Sequence, residues 1–283
     1  MIALFAMMLS AVMACALTPQ EAVSRFAGTP RLPQGSMAVL VTELPTGKVL
    51  ASYNADHSLT PASIMKCISI ASLSETMDME QPILTPVFVD ADIDADGVLE
   101  GNIIVVGQGD PSVNSKIWPV GTGLTDEITE ALRHAGVKSV KGDIIVDDSY
   151  FKGDPVPPTW ASADLPHSYG TGSHAFNYAN NSSGKSSVKN PAAAFRSDLR
   201  RKLAEAGISI GDEPLRRGPD RELLLHASPE LKEIMRSCMM RSDNLYAETA
   251  LRLFGKADGG DGSTEDAARR EREFWQDRRL NLN

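Results

Sequence analysis

The stretch TPASIMKC, residues 60–67, sets a serine and a lysine three positions apart at the head of an apolar run. Three residues is close to one helical turn, so Ser63 and Lys66 project from one face of any helix that begins here. A free serine hydroxyl is a weak nucleophile and needs a base to take its proton. Lysine can be that base where burial or a neighbouring cation lowers its pKa toward neutrality. Backbone N–H groups at a helix start are unpaired and can help hold a developing oxyanion. A second polar pair stands far downstream in RSDN, residues 241–244. There Ser242 can relay a proton and the Asn244 amide can hold a substrate carbonyl. Ser-x-x-Lys alone is common by chance and fits an ordinary helix start with an exposed lysine. The second pair, set between two apolar helical patterns, is what turns the reading toward acyl transfer on serine.

The elements that must position these residues can be read from periodicity. GSMAVLVTELPTGKVLASYNAD alternates apolar residues on both sides of Pro45-Thr46-Gly47, the pattern of strand, turn and strand. The following helix carries Ile64, Met65, Cys67, Ile68, Ile70, Ala71 and Leu73 and is expected to be buried nearly all round. From about Thr85 the character changes. LEGNIIVVGQGD and VKGDIIVDDSYF are short β-branched strands, and LTDEITEALRHAG between them is a helix closed by Gly136, which makes a βαβ unit. Gly107-Gln-Gly109 lacks the following helix and lysine of a phosphate loop. The region from DPVPPTW to NYANNSSGKSSVKN reads as loop, and PAAAFRSDLRRKLAEAG as a helix ending at Gly207. Ser228-Pro229-Glu230 is expected to start the next helix with Ser228 as cap. LYAETALRLFG resumes after the Ser242–Asn244 break and is expected to end at Gly255, with RREREFWQDRR beyond it as a solvated face.

A chain of 283 residues, 42% hydrophobic, is long enough for a good core and for two domains. Its net charge of −9, with signs interleaved, carries no electrostatic footprint for DNA or RNA. Residues 1–16 of MIALFAMMLSAVMACAL read as an export signal, with cleavage after Ala16 or, as in a lipoprotein, ahead of a lipidated Cys15 that would anchor the chain to a membrane. The expected location is the periplasm or cell envelope. With Cys15 removed, Cys67 and Cys238 remain, either as buried thiols or as a single bridge. Five histidines, at 57, 134, 167, 174 and 226, show no paired ligand spacing, so neither metal nor other cofactor is expected. His134 suits the last turn of its helix, and Asp243 reads as a helix cap.

Ser-x-x-Lys and Ser-Asp-Asn belong to the motif set of penicillin-recognising serine enzymes, whose third member is Lys-Thr-Gly. The chain resembles the D-alanyl-D-alanine carboxypeptidases/endopeptidases of the low-molecular-mass class C penicillin-binding proteins. The resemblance is carried by LVTELPTGKVLASYNADHSLTPASIMKCISIASL, GVLEGNIIVVGQGDPSV, GVKSVKGDIIVDDSYF and MMRSDNLYAETALRLFG, and covers nearly all of residues 35–265. It implies an α+β fold: a β-lactamase/transpeptidase-like domain at 17–85 and 186–283, carrying an inserted α/β accessory region at 86–185. It implies Ser63 as acylated nucleophile, Lys66 as general base, Ser242 as proton shuttle and Asn244 as the group that hydrogen-bonds bound peptide. The implied partners are peptidoglycan stem peptides and β-lactam antibiotics.

Two departures from the family pattern stand out. No Lys-Thr-Gly or Lys-Ser-Gly triplet follows Asn244, and GKSS at 184–187 precedes the Ser-Asp-Asn motif in a polar loop. The stretch between AFNYANN and KNPAAAF is also shorter than the resemblance leads one to expect. Together these suggest a truncated or internally deleted member that lacks its C-terminal strands. Two alternatives to an active peptidase therefore stand: a non-catalytic relative that binds wall peptides or β-lactams, and a β-lactamase or esterase on the same scaffold.

Overall fold

The computed structural model describes residues 17–29, 37–117 and 123–280. Residues 1–16, with Cys15 and the expected signal, lie outside the described residues. The chain divides into two units, residues 1–62 and 63–283.

In the first unit, α1 (Pro19–Ala27) opens with Pro at its first position and a capping box. Thr18 Oγ1 accepts from the Glu21 amide at 3.2 Å, and the Glu21 carboxylate accepts from the Thr18 amide at 2.8 Å. Strands β1 (Val39–Thr42) and β2 (Val49–Tyr53) pair antiparallel, as the alternation predicts, and Gly47 supplies the positive φ of +68° that the turn requires. Gln20 ties α1 to β2, accepting from the Ser52 amide at 2.9 Å and donating to its carbonyl at 3.2 Å.

A short 3₁₀ turn, Ala62–Ile64, leads into α2 (Met65–Thr76) of the second unit. The elements that follow are β3 (Pro82–Val89), β4 (Val98–Leu99), β5 (Ile103–Val106), α3 (Leu124–His134), β6 (Ser139–Val140) and β7 (Ile144–Asp147). After a long loop come the β8 (Ser182–Ser183) and β9 (Ser186–Ser187) hairpin, α4 (Pro191–Glu205), β10 (Ser209–Ile210) and β11 (Arg221–Glu230). Three helices close the chain: α5 (Leu231–Arg241), α6 (Asn244–Ala257) and α7 (Thr264–Asp277).

The main sheet has the order β11-β3-β5-β7, and a small parallel sheet has the order β10-β6-β4. β5 and β7 are parallel with α3 between them, which is the expected βαβ unit. Leu124, Ile128 and Leu132 on α3, and Phe195, Leu199 and Leu203 on α4, recur every four residues and pack on the sheet in one core. Gly107 and Gly109 serve packing: a Cβ at Gly107 would lie 2.6 Å from the Ala175 backbone, and one at Gly109 2.6 Å from the Phe151 ring. A second core gathers Leu73 of α2 with Leu231, Ile234 and Met235 of α5 and Tyr246 and Phe254 of α6. This core holds the helix that carries Lys66 against the helices on either side of Ser242.

Four expectations need correction. α2 is not buried all round: Ile64 is 70% and Met65 40% exposed, Cys67 is exposed, and the buried face consists of Ser69, Ser72 and Leu73. Within its own unit the helices that pack most closely on α2 are α5, α6 and α7. Ser228 caps no helix. β11 continues to Glu230, and Ser228 Oγ instead accepts from the Ile83 amide at 2.9 Å, where the β11/β3 register shifts and leaves that donor without a strand partner. α6 runs two residues past Gly255, whose missing side chain lets α7 approach; a Cβ there would meet that of Ala267 at 2.6 Å. Finally, RREREFWQDRR is not wholly solvated, since Glu271 is buried and Phe274 stacks edge-on with Phe254 at 5.4 Å between ring centroids.

Candidate active site

The four residues singled out by type and spacing meet in the second unit. Lys66 Nζ donates to Ser63 Oγ at 3.0 Å, as expected for neighbours one turn apart. Ser242 Oγ donates to Ser63 Oγ at 2.9 Å. Lys66 Nζ also donates to Asn244 Oδ1 at 2.7 Å, so the lysine bridges the serine and the asparagine. Asn244 Nδ2 donates to the Tyr169 carbonyl at 2.8 Å. A primary amide has two N–H donors, so one stays available for a peptide carbonyl.

The local chain explains how Ser242 reaches Ser63. Ser242 is the C-cap of α5 in the left-handed region, with φ 54° and ψ 41°. A non-glycine residue there carries a penalty of about 1–2 kcal/mol, tolerated because the next residue must start α6 at once. Asp243 is that helix's N-cap, as predicted, and accepts from the Tyr246 amide at 3.1 Å. Burial raises the Asp243 carboxyl pKa, against the helix amides and the charges of Lys66 and Arg241, which lower it. Beneath the turn, the Cys238 thiol donates to the Asp243 carbonyl at 3.3 Å. Burial pushes that thiol up to about 12, with the Asp243 charge adding to the rise and Lys66 opposing it. Cys238 and Cys67 are both free thiols.

A cleft of about 440 Å³ opens beside Ser242 and Asn244, walled by Lys116, Tyr169, Asn180 and Arg241 among others. Asn180 stands at φ 59° and accepts from Ser115 Oγ at 2.9 Å; that hydroxyl in turn accepts from Tyr246 at 3.2 Å, which couples the cleft wall to α6. Ser182 and Gly184 of the β8–β9 hairpin also face the cleft, so GKSS begins at its edge. Sequence reasoning missed Tyr169, Asn180, Lys116 and Arg241. Tyr169 acts through its main chain, which no residue type announces, and the others come from loops or the helix end and acquire a common wall only on folding. Among the described residues no group of three or more His, Cys, Asp or Glu side chains is placed to hold a metal ion, and no helix is long and apolar enough to cross a membrane.

Chemically, Ser63 Oγ receives hydrogen bonds from an amine and from a hydroxyl at once. Both would stabilise oxygen as it loses its proton, and either partner can pass a proton onward.

Comparison with known proteins gives a family from the sequence and a matching fold from the structure. The chain is 25% identical over 150 residues to a D-alanyl-D-alanine carboxypeptidase of Actinomadura sp. (strain R39), covering 53% of this chain and 26% of that protein. It is 29% identical over 136 residues to a carboxypeptidase of Mycobacterium tuberculosis, covering 46% of this chain and 28% of that protein. The chain thus spans little more than a quarter of either relative's length. Penicillin binding protein 4 of Haemophilus influenzae has the same fold, with a TM-score of 0.74 at 18% identity over 87% of this chain and 69% of that one. Its complex with a β-lactam superposes with a TM-score of 0.62 at 18% identity, over 89% and 68%. The α+β, transpeptidase-like fold is therefore established. The sequence profile of the D-Ala-D-Ala carboxypeptidase 3 (S13) family matches residues 19–184 and 171–278, most of the chain, which belongs to that family.

Proposed function

We propose that this protein is a serine-type D-Ala-D-Ala carboxypeptidase/endopeptidase acting on peptidoglycan stem peptides, and that β-lactams acylate the same serine. The observation that carries this reading is the placement of Ser63 Oγ between Lys66 Nζ at 3.0 Å and Ser242 Oγ at 2.9 Å. As an ammonium, Lys66 donates along the first line. Having lost a proton, its lone pair accepts the Ser63 proton along the same line while Ser63 Oγ bonds to the peptide carbonyl carbon. Ser242 then delivers a proton to the departing amine as the C–N bond breaks, and recovers one from Lys66. Asn244 orients the peptide through its remaining N–H. Water attacks the acyl ester, and Ser63 leaves with a proton returned by the same relay. Every atom of the peptide is accounted for in the acyl group and the released D-alanine.

The α+β family fold and the family's relation to carboxypeptidases support the reading. We further propose an accessory region at 86–185 between two parts of the transpeptidase-like domain, 17–85 and 186–283; the core around Val87, Ile103 and Ile128 supports a separate packing unit there, and that core also takes in Phe195, Leu199 and Leu203 of α4. An envelope location, with an export signal at 1–16 and a lipidated Cys15 as membrane anchor, belongs to the same proposal.

The test is intact-mass spectrometry of the folded chain after incubation with a penicillin, beside Ser63→Ala. A stable adduct on the wild type and none on the variant is the expected outcome. Rapid loss of the adduct would favour a β-lactamase or esterase. No adduct on a folded wild type would overturn the enzyme reading in favour of a non-catalytic binder.

A further inference from the structure

Two serines on the buried face of α2 take no part in the chemistry above. Ser69 follows Lys66 by one turn, and Ser72 follows Ser69 by one more. Ser72, wholly buried, is hydrogen-bonded to Glu271 Oε1 at 2.9 Å, accepts from Trp275 Nε1 at 2.8 Å and shares its one hydroxyl proton with the Ile68 carbonyl, also at 2.9 Å. Ser69 on the same face helps to hold down the pKa of that carboxyl. Glu271 is 6% exposed in a stretch of α7 whose other charged residues face solvent or half-face it.

A buried carboxyl is a costly way to hold two helices together. Burial raises its pKa, the two serines oppose that rise, and the charge of Glu248 on α6 adds to it. A well-packed apolar residue would stabilise the same interface at least as well, and buried polar groups of this kind serve most clearly to select one arrangement among several. Here the arrangement is the setting of α2 about its own axis. Leu73 in the apolar core fixes how deep the helix lies, whereas the directional hydrogen bonds that join Ser72 to Glu271 and Trp275 of α7 also fix its rotation. α2 is thereby held at two levels, by Glu271 of α7 at Ser72 and by Asn244 of α6 at Lys66. The upper grip alone would let the lysine swing with the helix. A misplacement of about 1 Å at a reacting group is enough to cost about 100-fold in rate.

We propose that Glu271 is a positioning residue for the Ser63–Lys66 pair, acting through Ser72 to set the rotation of α2 so that the Lys66 amine meets Ser63 and Asn244 together. This rests on the acyl-serine reading of the site.

The test compares Glu271→Ala and Glu271→Gln with the wild type in the full chain, with two readouts on the folded fraction. One is the rate of acylation by a penicillin, resolved into its maximal rate and its half-saturating concentration. The other is the NMR signal of the Lys66 amine in protein carrying ¹⁵N-lysine, assigned with Lys66→Arg, which needs no turnover. Glu271→Ala is expected to lower the maximal acylation rate by about 10- to 100-fold with the half-saturating concentration little changed, and to shift the Lys66 signal. Glu271→Gln, whose side-chain carbonyl still accepts from Ser72, is expected to restore both. If Glu271→Ala fails to fold, Ser72→Ala removes the same bond from the other side and must show the same pair of changes. Wild-type acylation with an unmoved Lys66 signal in the alanine variant overturns the proposal, even where the melting temperature falls. A wild type that takes no penicillin overturns the function proposed above and leaves the Lys66 signal to decide: a shift in Glu271→Ala reversed in Glu271→Gln supports the positioning role, and no shift ends it.

Discussion

Ser242 donates its hydroxyl proton to Ser63 Oγ at 2.9 Å although 179 positions separate the two residues. Ser242 can do so because it occupies the left-handed region, φ 54°, at the single break between α5 and α6. The backbone penalty and the functional hydroxyl therefore sit on one residue, and substitutions can separate them.

Ser242→Gly removes the hydroxyl and relieves the left-handed penalty, whereas Ser242→Ala removes the hydroxyl and keeps it. The glycine variant should be more stable than the alanine variant by about 1 kcal/mol in denaturant titrations. Both should be acylated by penicillin more slowly than wild type by a similar factor. A glycine variant with wild-type acylation would remove Ser242 from the proton relay.

Lys66→Arg keeps a positive donor beside Ser63 and Asn244 but cannot lose a proton near neutrality. If Lys66 is the base, the acylation rate should fall about 100- to 10,000-fold, with the fold retained by circular dichroism. A mild loss would mean that positive charge, not proton abstraction, is what Lys66 contributes.

Cys67 and Cys238 should differ sharply toward alkylation. Cys67 is exposed on α2, while Cys238 is buried with its thiol pushed up to about 12, by burial first and the Asp243 charge second. The thiolate is the reactive species. Iodoacetamide in mildly alkaline buffer, followed by peptide mapping, should modify Cys67 in the native protein and Cys238 only after unfolding. A Cys67–Cys238 crosslink in the unreduced map would contradict the structure.

His226 should make stability depend on pH. Burial works against its charged form, but the hydrogen bond and charge of Glu127, at 2.8 Å from Nδ1, and the charge of Asp110 outweigh it and raise its pKa above 6.5. A histidine raised in the folded state contributes stability that is fully present below its unfolded value and is lost as pH rises through the folded value. Urea midpoints should therefore fall as the pH is taken upward from 6.5. In His226→Gln this part of the fall should vanish. An unchanged slope would mean that another group titrates in that window; the buried Asp110, whose pKa burial raises, is the one to substitute next.

Much of the fold was legible because local periodicity and packing agree. The stripe Leu124, Ile128, Leu132 and the β-branched strands at 103–106 and 144–147 can bury their apolar atoms only as helix and strands. The reading failed where a tertiary partner outbid a local signal. Ser228-Pro229 looks like a helix start, yet the open amide of Ile83 on β3 takes the serine oxygen and keeps the segment in the sheet. The apolar content of α2 argued for burial on every side, but a helix is covered only where another element arrives, and Ile64 and Met65 have none within their unit.

By itself the sequence determined which residues could do acyl chemistry: Ser63 and Lys66 lie one turn apart on any helix, and Asp243 caps the helix that Asn244 begins. These are local facts, set by the geometry of three or four consecutive residues. Only the tertiary structure decided that Ser242 reaches Ser63, that Lys66 holds Asn244, that the Tyr169 carbonyl orients that amide, and that Glu271 lies under α2. Those contacts join segments 75 to 199 positions apart. They depend on how α2, α5, α6 and α7 pack around a shared apolar core, and no spacing along the chain encodes that.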